Sequence, residues 1–201
     1  MVDNKLFPIA EFFLNPVASY LNKKKISANI ITITGFVIGI LAVPFIISGF
    51  FKIAIILICL SRICDGLDGI IARLNAITNK GAFLDISLDF IFYASIPMAF
   101  AFHDPSENSL PALLLLFSFF GTGSTFLAFS IMAEREKITP KEFSKKGFYY
   151  LGGLVEGAET IMFLILMCLL PNYFPIIAYI FSLGCLLTTI FRVKVGLNTF
   201  R

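Results

Sequence analysis

The sequence predicts an all-α membrane protein with six transmembrane helices, preceded by a helix lying on the cytoplasmic surface. Three observations predict that class. Hydrophobic residues make up 58% of the 201-residue chain, and the mean hydropathy of +0.89 lies well outside soluble globular composition. The apolar residues gather into stretches long enough to cross the ~30 Å of a bilayer's hydrocarbon. The basic residues between those stretches fall almost entirely on one side, and this asymmetry sets orientation in membranes.

In chain order, residues 5–21 are apolar and aromatic, but Pro8 and Pro16 interrupt them and Lys23-Lys24-Lys25 follows too soon for a span. An interfacial segment over 1–25 is expected. Ser27-Ala28-Asn29-Ile30-Ile31-Thr32 then reads as a capped start to the first span. Spans are expected at 30–49, 52–75, 81–102, 110–132, 148–170 and 173–193, as one bundle within a single domain, 1–201. No cleaved signal peptide is expected, because the first apolar stretch is not N-terminal and more spans follow.

An even number of spans puts both ends on one side. Lys5, the Lys23–Lys25 run, Lys80, Arg135, Lys137, Lys141, Lys145, Lys146, Lys194 and Arg201 share that side, and only Lys52 opposes them. Both termini are therefore expected in the cytoplasm of a multi-pass inner-membrane protein, with a loop over residues 103–108 facing out. The pI near 8.7 reflects that basic face, which attracts anionic lipid head groups and nucleotides. It implies no nucleic acid partner. Cys59, Cys64, Cys168 and Cys185 show no metal-ligand spacing and read as small core fillers. With no Trp in the chain, Tyr149, Tyr150, Tyr173 and Tyr179 would form the interfacial belt.

The second and third spans carry the chemistry. Asp65, Asp68, Gly69, Ala72 and Arg73 share one helical stripe, and Gly81, Asp85 and Asp89 stack on another. Carboxylates within a membrane span mark function by default. Four close negative charges must protonate or meet cations, and hard oxygen ligands suit Mg²⁺ or Mn²⁺. A structural ion-pair network and a cation pathway are the alternatives. Gly66, Gly69 and Gly81 speak against a pathway, because they open space for a bulky ligand's phosphates. The aspartates lie ~5–10 residues, or ~8–15 Å, from the turn at 76–80, which predicts a polar cavity open to the cytoplasm.

Glu156 and Glu159 lie about as deep on the expected fifth helix and would line the same cavity or pair with Arg62. Six acids (Asp65, Asp68, Asp85, Asp89, Glu156, Glu159) against Arg62 and Arg73 leave four negative charges, which two divalent ions would balance. Gly121 and Gly123 read as close helix packing or dimerisation.

The pattern Asp65-x-x-Asp68-Gly69-x-x-Ala72-Arg73, then Gly81-x-x-x-Asp85-x-x-x-Asp89, resembles the CDP-alcohol phosphotransferase (phosphatidyltransferase) family of bacterial type. The Arg73-to-Gly81 interval is one residue shorter than is usual there, which implies a tighter turn. The resemblance implies transfer of a phosphatidyl group from CDP-diacylglycerol to a small alcohol, with release of CMP, by a membrane homodimer using two divalent ions. It implies Asp65, Asp68, Asp85 and Asp89 as metal ligands, Asp89 also as general base, and Asn29, Thr32, Gly69, Arg73 and Thr78 around the donor. Glu156, Glu159, Lys145, Lys146 and Arg192 are candidate acceptor contacts. A CDP-choline or CDP-ethanolamine enzyme acting on diacylglycerol, and a non-enzymatic cation-binding protein, remain alternatives.

Overall fold

The computed structural model describes residues 3–138 and 155–200, all of whose regular elements are helical. They are α1 (Asp3–Lys23), α2 (Ala28–Ile40), α3 (Ala42–Ile47), α4 (Phe51–Asn75), α5 (Asn79–His103), α6 (Pro105–Arg135), α7 (Gly157–Leu169) and, after a 3₁₀ turn at Pro171–Tyr173, α8 (Phe174–Thr199). Among the described residues, four stretches, 28–47, 79–103, 105–135 and 171–199, are long and apolar enough to cross a membrane. α4 has the length but carries the charges of the Asp65–Arg73 stripe.

Several expected boundaries move, each for a physical reason. The first span is two helices, because Pro44 has no N–H to give the carbonyl of Ile40 and the backbone turns at Leu41. Ser27 takes the extended cap conformation but makes no side-chain capping bond. Pro8 and Pro16 do not break α1. Residues 105–108 are not a loop: the Asp104 carboxylate accepts from Ser106 N at 3.1 Å and Glu107 N at 3.2 Å, and Pro105 opens α6 directly behind α5. Asn108 is then buried, and its Nδ2 donates to Phe100 O at 3.0 Å. Among the described residues the fifth expected span begins only at Gly157.

The turns that close α1, α3 and α6 share one device. Ile26 N donates to Leu21 O and Lys25 N to Asn22 O, with Lys25 at φ 59°. Phe50 N to Phe45 O around Gly49, and Ile138 N to Ala133 O around Lys137, repeat it. Each turn satisfies the last carbonyls of its helix, but only one uses the glycine that sequence reasoning would look for.

The core lies where α3 to α8 converge. Phe100 stacks between Phe51 and Phe174, at centroid distances of 5.6 and 4.4 Å, and Phe163 stacks on Phe181 at 4.4 Å. In lipid such interlocking, rather than apolar burial, holds helices together. Gly121 serves it, since a Cβ there would lie 2.9 Å from Thr189 Oγ1 on α8. Cys168 and Cys185 are buried fillers as expected, whereas Cys59 faces outward. A second cluster joins Ala18 of α1 to Ile31, Leu67, Ile70 and Ile71, which lays α1 across α2 and the charged half of α4. Its other face leaves Phe12, Phe13, Val17 and Tyr20 exposed.

Candidate metal and phosphate site

A cavity of about 1860 Å³ opens among α2, α4, α5, α6, α7 and α8. Asn29, Thr32, Gly69, Arg73 and Thr78 line it, as do all four aspartates. Another part of its wall is apolar, with Phe119, Phe120, Leu127, Ile165 and Leu169. It therefore suits a ligand that is charged at one end and greasy at the other.

Asp65 and Asp68 are one turn apart on α4, and Asp85 faces them from α5. One oxygen of each lies within 4.8 Å of the others. Asp68 is only 6% exposed, and its Oδ2 has no hydrogen-bond partner. A buried carboxylate oxygen in that state is costly unless a cation meets it. The three carboxylates therefore fit a hard divalent ion, whose oxygen ligands need only small side-chain rotations from this spacing. A recess of about 10 Å³ beside them, enough for about one water-sized sphere, is lined by all four aspartates, Thr32, Ser61 and Arg62.

Asp89 stands apart from the trio. Arg62 Nη1 donates to its Oδ1 at 2.8 Å, and the Tyr93 hydroxyl donates to its Oδ2 at 3.3 Å. Arg73 reaches Glu11 of α1 at 3.4 Å while facing the cavity.

The glycines differ in what they do. A Cβ on Gly69 would meet only Arg73 Nη1, at 3.4 Å, so that wall is open to a ligand. On Gly66 it would lie 2.6 Å from Leu14 Cδ1, so Gly66 admits α1 rather than phosphate. Thr78 caps α5 by accepting from Gly81 N at 3.1 Å, and the Thr32 hydroxyl donates to Ala28 O at 3.0 Å.

Glu156 and Glu159 are not a turn within a long helix. Glu156 is the extended N-cap of α7 and Glu159 its third residue, and they form a reciprocal capping box in which Glu156 N donates to Glu159 Oε2 at 3.2 Å. Glu156 also lines the cavity. So does Arg192, a buried α8 residue whose Nη1 donates to Thr122 O at 2.9 Å. Lys145 and Lys146, with Tyr149 and Tyr150, lie outside the described residues.

Sequence reasoning missed Tyr93, Glu11 and the pair Gly35 and Gly39. The one-turn spacing from Asp89 to Tyr93 and the Gly35-x-x-x-Gly39 pattern were signals within reach. No local signal connects Glu11 with Arg73.

The chain is similar to known proteins in sequence and in fold. Residues 25–191 match the sequence profile described as CDP-alcohol phosphatidyltransferase. Over 201 residues, 100% of this chain and 98% of its relative, the sequence is 44% identical to inner membrane protein YnjF of Escherichia coli (strain K12). The fold is similar to phosphatidylinositol phosphate synthase (PgsA1) of Mycobacterium tuberculosis. The form with CDP-DAG bound gives a TM-score of 0.73 at 18% identity, covering 91% of this chain and 92% of that one. The complex with manganese and citrate gives 0.72 at 18% identity, covering 92% and 88%. At that identity the likeness is one of fold.

Proposed function

Because this chain belongs to the CDP-alcohol phosphatidyltransferase family, we propose that it transfers a phosphatidyl group from CDP-diacylglycerol to a small alcohol, releasing CMP. The observation that carries the reading is the Asp65, Asp68 and Asp85 trio, on the wall of a cavity that changes from charged to apolar. A nucleotide head and lipid tails match those two parts.

In this reading Asp65, Asp68, Asp85 and Asp89 hold two divalent ions, Mg²⁺ or Mn²⁺. Such ions neutralise charge on a pyrophosphate and on the departing CMP. The chain's own residues do the rest. Gly69 leaves room for the nucleotide, Asn29, Thr32 and Thr78 line its end of the cavity, and Arg73 exchanges Glu11 for a donor phosphate oxygen. Asp89 accepts the acceptor's hydroxyl proton as that oxygen bonds to the phosphatidyl phosphorus and the bond to CMP breaks. Glu156 and Arg192 face the cavity where an acceptor would be read.

The same reading makes the protein a multi-pass inner-membrane homodimer of six spans. The one-sided basic residues support cytoplasmic termini, and the outward apolar faces of the helices supply surface for lipid and for a second copy.

The test is to incubate the purified protein with CDP-diacylglycerol, Mg²⁺ or Mn²⁺ and a panel of alcohols, following CMP and lipid products by mass spectrometry. Metal-dependent CMP release with a new phospholipid is expected, and Asp89→Asn should bind CMP yet fail to transfer. Release without metal, or product only from CDP-choline and diacylglycerol, would refute the reading.

A further inference from the structure

Arg62 is the cation already inside the carboxylate cluster. Its guanidinium lies over the Phe92 ring at 4.5 Å and near the Tyr93 ring at 5.7 Å. Its Nη2 donates to Ser61 Oγ at 3.1 Å, and its Nη1 lies 2.8 Å from Asp89 Oδ1 and 3.6 Å from Asp65 Oδ1. Ring stacking and hydrogen bonds hold it in place, and its side chain is 16% exposed. Tyr93 occupies the second oxygen of Asp89. The trio of Asp65, Asp68 and Asp85, by contrast, needs no help from Asp89 to surround a point between them. The recess they share with Arg62 has room for about one water-sized sphere.

We propose that Arg62 is a positioning residue standing in for a second cation. In the resting protein Asp65, Asp68 and Asp85 take one divalent ion, and Asp89 becomes available to another only when the Arg62–Asp89 pair opens. The proposal rests on the two-ion reading of the donor site. Its physical basis is exclusion: a guanidinium and a divalent ion on the same carboxylate edge would repel each other at about 4 Å, with little water between them to screen the charge. The negative pyrophosphate of an arriving nucleotide tips the balance towards the second ion. Asp89 is therefore released from Arg62 only once a donor is present.

Mn²⁺ binding to the purified full-length protein, without donor, tests this by counting ions from the free-Mn²⁺ electron paramagnetic resonance signal. Wild type should bind one ion tightly and a second weakly. Arg62→Gln should tighten the second site about 10- to 100-fold, the scale of a lost charge-assisted hydrogen bond, and Arg62→Gln/Asp89→Asn should lose that gain. The wild type provides a measurement independent of any folding defect in a variant: saturating CDP should raise its count from one to two. Two tight ions in nucleotide-free wild type, an unchanged count with CDP, or unaltered second-site affinity in a folded Arg62→Gln protein would overturn the role of Arg62. No Mn²⁺ bound by any form would instead refute the metal reading on which it rests.

Discussion

Gly39→Ala should damage the site from a distance. A Cβ at Gly39 would lie 2.8 Å from Phe92 Cδ2 and Cε2 and 2.8 Å from Ser61 Oγ. Ordinary carbon contacts sit at ~3.5–4.0 Å, so α2 must back away from α4 and α5 by roughly 1 Å. Phe92 is fully buried and cannot swing aside. Its ring supports Arg62, which holds Asp89, so the displacement passes into the carboxylate cluster. Overpacking of this kind costs ~1–3 kcal/mol, and a ~1 Å misplacement of reacting groups costs ~100-fold in rate.

The assay pairs a thermal melt in detergent with CMP release. Gly39→Ala should lower both the melting temperature and turnover. Gly123→Ala, whose Cβ would sit at an ordinary 3.5 Å from the Phe90 ring, should leave both near wild type. A Gly39→Ala protein with unchanged melting temperature and kcat would refute the chain of contacts through Phe92.

Three further outcomes are expected. Asp68→Asn should abolish Mn²⁺ stabilisation in a melt while stabilising the chelator-treated protein by ~1–3 kcal/mol, because it replaces a buried, unpartnered carboxylate oxygen with a neutral amide; no gain in the metal-free melt would contradict that. Glu156→Gln should raise the acceptor's KM ~10- to 150-fold with donor KM unchanged, whereas Glu159→Gln, which preserves the capping box away from the cavity lining, should change neither constant. Hydrogen bonds from the Ser106 hydroxyl and the Glu107 and Ser106 amides hold the Asp104 carboxyl below the usual carboxylate range. Its contribution is thus present above that range and lost as pH falls through the lowered value, so the melting difference between wild type and Asp104→Ala should vanish on acidification and persist at neutral pH.

How much was legible follows from the range of each signal. The Asp65–Arg73 and Gly81–Asp89 stripes are periodic within single helices, so spacing shows which aspartates share a face, Asp65 with Asp68 and Asp85 with Asp89. That Asp85 meets the α4 pair while Asp89 turns to Arg62 is set by packing between helices. Hydropathy located the cores of the helices because it sums over about twenty residues. It could not see that Asp104 would cap α6 and turn an expected loop into a one-residue joint. Nor could it separate Glu156 and Glu159 from a helix interior, since an acid pair at that spacing serves equally as a capping box. The turns that close α1 and α6 carry no glycine signal, because Lys25 and Lys137 take the left-handed conformation usually given to glycine. The contacts of Glu11 with Arg73 and of Arg62 with Asp89 join residues far apart in sequence, which no local pattern reports.

The architecture of α4 explains why the N-terminal helix is part of the site. In its first half, Ala54, Ile58 and Ser61 turn inward every third or fourth residue and carry no exposed surface. In its second half that face becomes Asp65, Asp68, Ala72 and Arg73 along the cavity, and a helix so charged on one side needs apolar cover on another. α1 supplies it: Leu14 sits over Gly66, and Ala18 packs with Leu67, Ile70 and Ile71. The Asn75 amide donates to Asn22 Oδ1 at 2.8 Å, which fixes the far end of the contact. Held this way, α1 presents Glu11 to Arg73 at 3.4 Å, a modest exposed pair that a doubly charged pyrophosphate can displace. The segment that reads in sequence as a surface anchor therefore also sets the orientation of the arginine that meets the donor in the proposed reaction.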